Sequence, residues 1–259
     1  MSDRRLPVAS PLLGAVADPW TDLKRFTAAR IALGHAGYGL PTKAHLAFQL
    51  AHARARDAVH TPLDAKALEG AFAAQGWPCL TVKSAAQDRT TYLTRPDLGR
   101  RLSEESEREL SVPRPAPDVA LVVADGLSST AVAANAFPFV AALMPLLDRN
   151  KRTVSPIVIG LEGRVALADH VGEILQAKVA LIALGERPGL SAADSLGVYI
   201  TWDPKRIRIE SERNCISNIR AGGLPPERAA EQATSLIESM FAYRTSGVAL
   251  STRLALPNG

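Results

Sequence analysis

The sequence predicts an α/β protein, with an N-terminal helical region followed by a Rossmann-like, mostly parallel α/β domain. Three observations carry this expectation. The runs 119–123 and 179–184 are short and continuously apolar, and 154–159 is a short apolar run broken only by Ser155, as strands buried on both faces are. Helical stretches alternate with these runs, which asks for crossover connections and helices on both faces of one sheet. The first third of the chain reads as amphipathic helix.

In chain order, Asp18-Pro19-Trp20 opens a helix, with Asp as N-cap and Pro at the first helical position. Leu23, Phe26, Ile31 and Leu33 supply its apolar positions. Residues 34–41 hold three glycines and a proline and end it. A second helix runs from Thr42 to about Val59, and a third from about Thr61-Pro62 to about Gly76. Residues 103–109 form a charged helical turn. Val112-Pro-Arg-Pro-Ala-Pro117 has three prolines in six residues, the best linker composition in the chain. It sets a boundary near residue 115, dividing the chain into 1–115 and 116–259.

Beyond that boundary, strand 119–123 ends in Asp125-Gly126. Ser128-Ser-Thr130 caps a small-residue helix to about Leu147, which Pro138 should kink or break. Strand 154–159 closes at Gly160, residues 165–176 are helical, and strand 179–184 ends in Gly185-Glu186. Residues 198–202 and 207–210 alternate like half-exposed strands. A last helix runs from Pro225-Pro226 to about Tyr243.

Composition bounds the function. The 259 residues suit one or two domains, and a 47% hydrophobic content supplies a sizeable core and rules out disorder throughout. The net charge of +4 is scattered and aromatics are 5%, which argues against nucleic acid. No run of about 18 uncharged apolar residues is evident, so no membrane-spanning helix is expected. Residues 1–10 carry Arg4 and Arg5 with no long apolar segment behind them, so no secretory signal is expected. Cys79 and Cys215 are too few and too far apart for a disulfide framework, and the five histidines show no H-E-x-x-H, so no metal site is expected. A soluble, cytosolic globular protein is the expectation.

In open α/β sheets, ligands bind beyond the carboxyl ends of the strands. That rule selects Asp125-Gly-Leu-Ser-Ser-Thr130, Gly160-Leu-Glu-Gly-Arg-Val165 and Gly185-Glu-Arg-Pro-Gly-Leu190. The first could hold a phosphate on its helix N-terminus but lacks both G-x-G-x-x-G and the P-loop lysine. Glu186, directly after a buried strand, either pairs with Arg187 or Arg213 or accepts hydrogen bonds from a ligand's amides. Cys215 lies in a polar stretch and reads more readily as a small hydrophobe than as a nucleophile. Val165 reads as ordinary core, and His170 as a surface or half-buried residue. Asp169-His170-Val171-Gly172 does not have the spacing of the Asp-x-His-x-x-Gly motif, in which a histidine replaces cobalamin's own base on cobalt. On these residues alone, a stand-alone enzyme using Asp125, Ser128 and Glu186 around a phosphorylated ligand stays open, as does a scaffold protein.

Several longer motifs occur together and in a fixed order. They are Asp118-Val-Ala-Leu-Val-Val-Ala-Asp-Gly-Leu-Ser128, Gly163-Arg-Val165, Val171-Gly-Glu-Ile-Leu175, Gly185-Glu-Arg-Pro-Gly-Leu190 and Asn214-Cys-Ile-Ser-Asn-Ile219. Gly222-Gly223, Pro225-Pro226 and Ser246-Gly247 follow. In these the chain resembles the small (light) subunit of ethanolamine ammonia-lyase, over the whole of the C-terminal part and more weakly through residues 33–41 and 51–59. The resemblance implies an adenosylcobalamin-dependent enzyme that converts ethanolamine to acetaldehyde and ammonia by a radical mechanism. It implies a large subunit that holds the substrate, with this chain completing the cofactor site at the interface through a Rossmann-like domain, 116–259. Residues 1–115 would dock on that large subunit. Carried over by position, the cofactor-contacting residues are Val165, Glu186 and Cys215, none of them an acid, base or nucleophile. The cytoplasm, or a bacterial microcompartment within it, is the implied location.

Overall fold

The computed structural model describes residue 18, residues 20–110, residue 112 and residues 115–255. The expectations for residues 1–10 and Pro19, and part of the linker at 112–117, lie outside these. The chain forms two compact units, Met1–Ala55 and Arg56–Gly259. In the first, Asp18 accepts a hydrogen bond from the Trp20 amide, but only a 3-10 turn, Thr21–Phe26, follows. The expected helix to Leu33 does not form, and helix α1, Thr42–His60, begins directly after Pro41.

The second unit is built on a mixed sheet of six strands. They are β1 (Cys79–Lys83), β2 (Val119–Ala124), β3 (Ile157–Leu161), β4 (Val179–Gly185), β5 (Leu196–Trp202) and β6 (Arg213–Ile219), in the order β1-β3-β2-β4-β5-β6. Pairs β1–β3, β3–β2 and β2–β4 are parallel, whereas β4–β5 and β5–β6 are antiparallel. The sheet is therefore mixed rather than mostly parallel, because the connections at 186–195 and 203–212 return the chain against β4 and then β5 without a crossover helix. Residues 207–210 are loop; the strand is 213–219, and Cys215 sits inside it. Edge strand β1 comes from before residue 115, so the sheet draws on both sides of that point.

The helices of this unit are α2 (Ala65–Ala73), α3 (Arg89–Thr94), α4 (Glu104–Glu109), α5 (Ser129–Arg149), α6 (Leu167–Ile174), α7 (Pro226–Tyr243) and α8 (Gly247–Ala255). Alternation along β2 divides the core. Val119, Leu121 and Val123 face α2, α5, α7 and α8, whereas Ala120, Val122 and Ala124 face Leu167, Val171 and Leu175 around α6. Helix α5 runs unbroken through Pro138 and Pro145, contrary to the expected break. Neither proline is on the buried stripe of Val132, Ala136, Phe139, Val140, Leu143 and Leu147, so the carbonyls they orphan can turn toward water. By length and composition α5 could also cross a membrane, which the sequence reading overlooked because Ser, Thr, Asn and Pro interrupt its apolar run. In this structure that apolar stripe packs on the sheet.

Candidate functional site

Strands β2 and β4 are neighbours, yet the helices that leave β2 and β3 lie on opposite faces of the sheet. This is the topology that opens a crevice at the carboxyl ends of β2 and β4. The floor of the crevice is closed by backbone. The Leu127 amide donates to the Gly185 carbonyl at 2.9 Å, and a Cβ on Gly126 (φ +56°) would lie 2.2 Å from that same oxygen. The space that remains lies to the side, over α6 and the β4–β5–β6 face. It consists of two depressions of about 330 and 380 Å³ that share Arg164, Val165 and Tyr199 in their linings.

Val165, Glu186 and Cys215 all line this surface. Val165, half-buried, projects from the five-residue loop between β3 and α6 and packs with Tyr199 on the α6-side core. Glu186 follows β4. Its carboxylate accepts hydrogen bonds from the Ser195 hydroxyl and from the Asn218 amide (3.4 Å) and rests on Gly197. Among the described residues it makes no ion pair. Arg213, one of the partners considered for it, binds buried Asp169 instead at 2.9 Å. Cys215 is exposed on β6, directly opposite Tyr199 in register, so that thiol and phenol are neighbours. Loss of solvent around the half-buried Tyr199 hydroxyl, and around the Cys215 sulfur beside it although that residue is exposed overall, pushes both groups up, and Glu186 nearby adds to each, so thiol and phenol are both neutral near pH 7.

Asp125 and Ser128 belong to the frame. The two Asp125 oxygens accept from the Glu162 and Gly163 amides at 2.9 and 3.0 Å. Burial, reinforced by Glu162, pushes that carboxyl up to about 6. The Ser128 hydroxyl caps α5 by accepting from the Ala131 amide and donates to the Ala193 carbonyl at 2.7 Å. A phosphorylated ligand would find neither free. His170 is fully buried rather than at the surface, because its Nδ1 accepts the Leu102 amide at 3.0 Å. No three of His, Cys, Asp or Glu gather among the described residues.

Two residues of the site escaped the sequence reading. Tyr199 lies between Glu186 and Cys215, and only the β5–β6 register reveals it; the alternation of 198–202 had already put Tyr199 on the face opposite Val198 and Ile200. Arg164 lies 4.6 Å over the Tyr92 ring and donates from Nη2 to the Tyr92 carbonyl, while its buried Nε has no hydrogen-bond partner among the described residues. Nothing in the sequence near Arg164 signals that contact.

Residues 17–251 match the family model described as ethanolamine ammonia-lyase light chain (EutC). The ethanolamine ammonia-lyase small subunit of Azotobacter vinelandii is 47% identical over 254 residues, covering 96% of this chain and 91% of that protein. The protein of the same name from Pseudomonas syringae pv. tomato is 47% identical over 246 residues, covering 93% and 86%, and one from Pseudomonas fluorescens is 48% identical over 237 residues, covering 90% and 86%. The chain belongs to the light-chain, or small-subunit, family of ethanolamine ammonia-lyase, a lyase.

Proposed function

We propose that this chain completes, with the large subunit its family name implies, the adenosylcobalamin site of an enzyme that converts ethanolamine to acetaldehyde and ammonia. The observation that carries the reading is convergence. Three residues singled out by resemblance, from three separate stretches of sequence, line one surface around Tyr199. The donor set suits a flat, amide-fringed macrocycle. Glu186 is a carboxylate acceptor held by Ser195 and Asn218, Val165 and the Tyr199 ring offer apolar contact, and the Arg164 Nε is a buried donor still lacking a partner. Cys215, small and neutral, permits close approach at the rim. When bound, adenosylcobalamin supplies a radical by homolysis of its cobalt–carbon bond, while the protein supplies binding and exclusion of water.

In this reading residues 116–259 are the Rossmann-like, cofactor-contacting part, a description supported by the β2–α5–β3–α6–β4 run. Residues 1–115 contribute the docking surface, and the large subunit holds the substrate. Neither nucleic acid nor membrane takes part. The enzyme works in the cytoplasm, inside a protein-shelled microcompartment where the organism builds one.

The test is ethanolamine deamination with adenosylcobalamin and the large subunit, with and without this chain. Activity is expected only with both, and equal activity from the large subunit alone overturns the reading. Glu186→Ala should raise the apparent cobalamin Kd by about ten- to a hundredfold, from about 1.5–3 kcal/mol for a charged hydrogen bond. It should raise Kd more than it lowers turnover at saturation; an unchanged Kd would remove Glu186 from the site.

A further inference from the structure

The wall of the site that carries Arg164 and Val165 is the loop between β3 and α6, and it is held from behind by Asp125 and α3. Asp125 accepts the amides of Glu162 and Gly163, two successive residues of that loop, and Glu162 is itself left-handed at φ +53°. Arg89, the first residue of α3, then ties the pieces together. Its Nη1 donates to Glu162 Oε2 and to the Gly126 carbonyl, each at 2.9 Å, and lies 3.6 Å from Asp125 Oδ2. Its Nε donates to the Val59 carbonyl at 2.6 Å. Tyr92, one turn along α3, is fully buried between the guanidinium groups of Arg89 (4.7 Å) and Arg164 (4.6 Å) and donates its hydroxyl to the Gly163 carbonyl at 3.3 Å.

We infer that Arg89 and Tyr92 are positioning residues for the cofactor wall: Arg89 lies outside both depressions, Tyr92 is buried at the edge of the larger one, and together they fix where the 162–166 loop presents Arg164 and Val165. This rests on the reading that the depression takes cobalamin. Groups that hold a metal's ligands in place commonly set its affinity by about ten- to a hundredfold without touching the metal, and here a cation, a carboxylate and a ring hold the loop by the same kind of polar support.

The clamp also gives the wall a pH dependence. Asp125 is faced by Glu162 from the loop and by Arg89 and Tyr92 from α3. Its carboxyl titrates at about 6. On protonation one of its oxygens becomes a donor, and one loop amide loses its acceptor. Arg89 holds the carboxyl down against burial and Glu162, so removing that cation moves the titration to higher pH.

The experiment is equilibrium dialysis of cyanocobalamin against the complex of this chain with its large subunit, from pH 5 to pH 8. For the native complex, affinity should weaken as pH falls through the Asp125 titration. Arg89→Gln should weaken binding about tenfold at pH 7.5 and move that acid limb upward by about half a pH unit or more. Arg89→Lys should restore the limb, because it restores the charge, while leaving Kd between the two. A purely structural role would lower the number of binding sites per complex and leave both Kd and the limb in place, which would overturn the inference. If Arg89→Gln does not assemble, Tyr92→Phe, which keeps the ring and loses only the bond to Gly163, should bind about threefold more weakly; native affinity there overturns it. Glu186→Ala runs alongside. If it weakens binding and the α3 variants do not, only the positioning role falls; if none of them does, the cofactor reading falls as well.

Discussion

A phenol and a thiol facing each other across β5 and β6 set each other's protonation. The Tyr199 hydroxyl holds the Cys215 thiol down, while burial and Glu186 push it up. Tyr199→Phe removes the one neighbour that favours the thiolate, so at a given pH less of the reactive form is present. In the isolated chain, with Cys79 replaced by serine to leave one cysteine, iodoacetamide should alkylate Cys215 about threefold more slowly in Tyr199→Phe, and its pH–rate curve should move up by about half a unit. A faster reaction would mean that the phenol shields the sulfur rather than polarising it. Val165, Glu186 and Cys215, the residues proposed to contact the cofactor, could be singled out because each sits in a motif with a fixed neighbourhood. Tyr199 and Arg164 were not, since their roles come from a strand register and from a loop conformation imposed by Asp125, Arg89 and Gly99, whose carbonyl accepts the Arg164 amide at 2.8 Å.

Helix α6 shows the same division among elements. Its place behind an apolar strand could be read from hydrophobic periodicity, as could β2, β4, α5 and α7. That its two adjacent polar residues both face inward could not. Asp169 binds Arg213 of β6 and His170 accepts the Leu102 amide, so one short helix ties β6 to the segment before α4. Strand β1 and helix α8 were missed for a different reason. Each is short, with mixed polar and apolar positions, and only its neighbours make it regular. The burial of His170 has a measurable sign. Burial, with Arg206 adding to it, lowers its pKa below 6.5, so the unfolded chain takes up the proton first and the folded state loses stability as pH falls below that value. His170→Leu leaves the Leu102 amide without an acceptor and should cost about 2 kcal/mol at pH 8. The difference from the native chain should narrow at pH 5.5, as read from urea denaturation midpoints; a gap that widens in acid would show that the imidazole is charged in the folded protein.

For the molecule as a whole, the two units differ in what they bury. The second has a continuous core on both faces of its sheet, whereas no described side chain of residues 18–55 is buried. Trp20 and Phe26 are 63% and 72% exposed, and Leu46, Phe48 and Leu50 are also open on α1. Apolar surface on this scale is characteristic of an interface, in keeping with the proposed docking on the large subunit. Replacing Leu46 and Phe48 together by serine should weaken co-assembly about tenfold or more while leaving the thermal midpoint of the isolated chain within about 2 °C. A lowered midpoint with unchanged assembly would place these residues in a core instead. The helical character of this region was legible in composition, but the membership of β1 in the sheet was not, since parallel partners distant in sequence leave no local signature. That membership has a consequence for how the chain is made. Cys79 pairs with Ile157, and all of β2 and α5 lie between them. On the ribosome, the strand synthesised first must therefore wait for its neighbour while later segments emerge. During that interval the edge that β3 will cover is open to any passing chain, so misassociation of nascent chains is most costly at this stage.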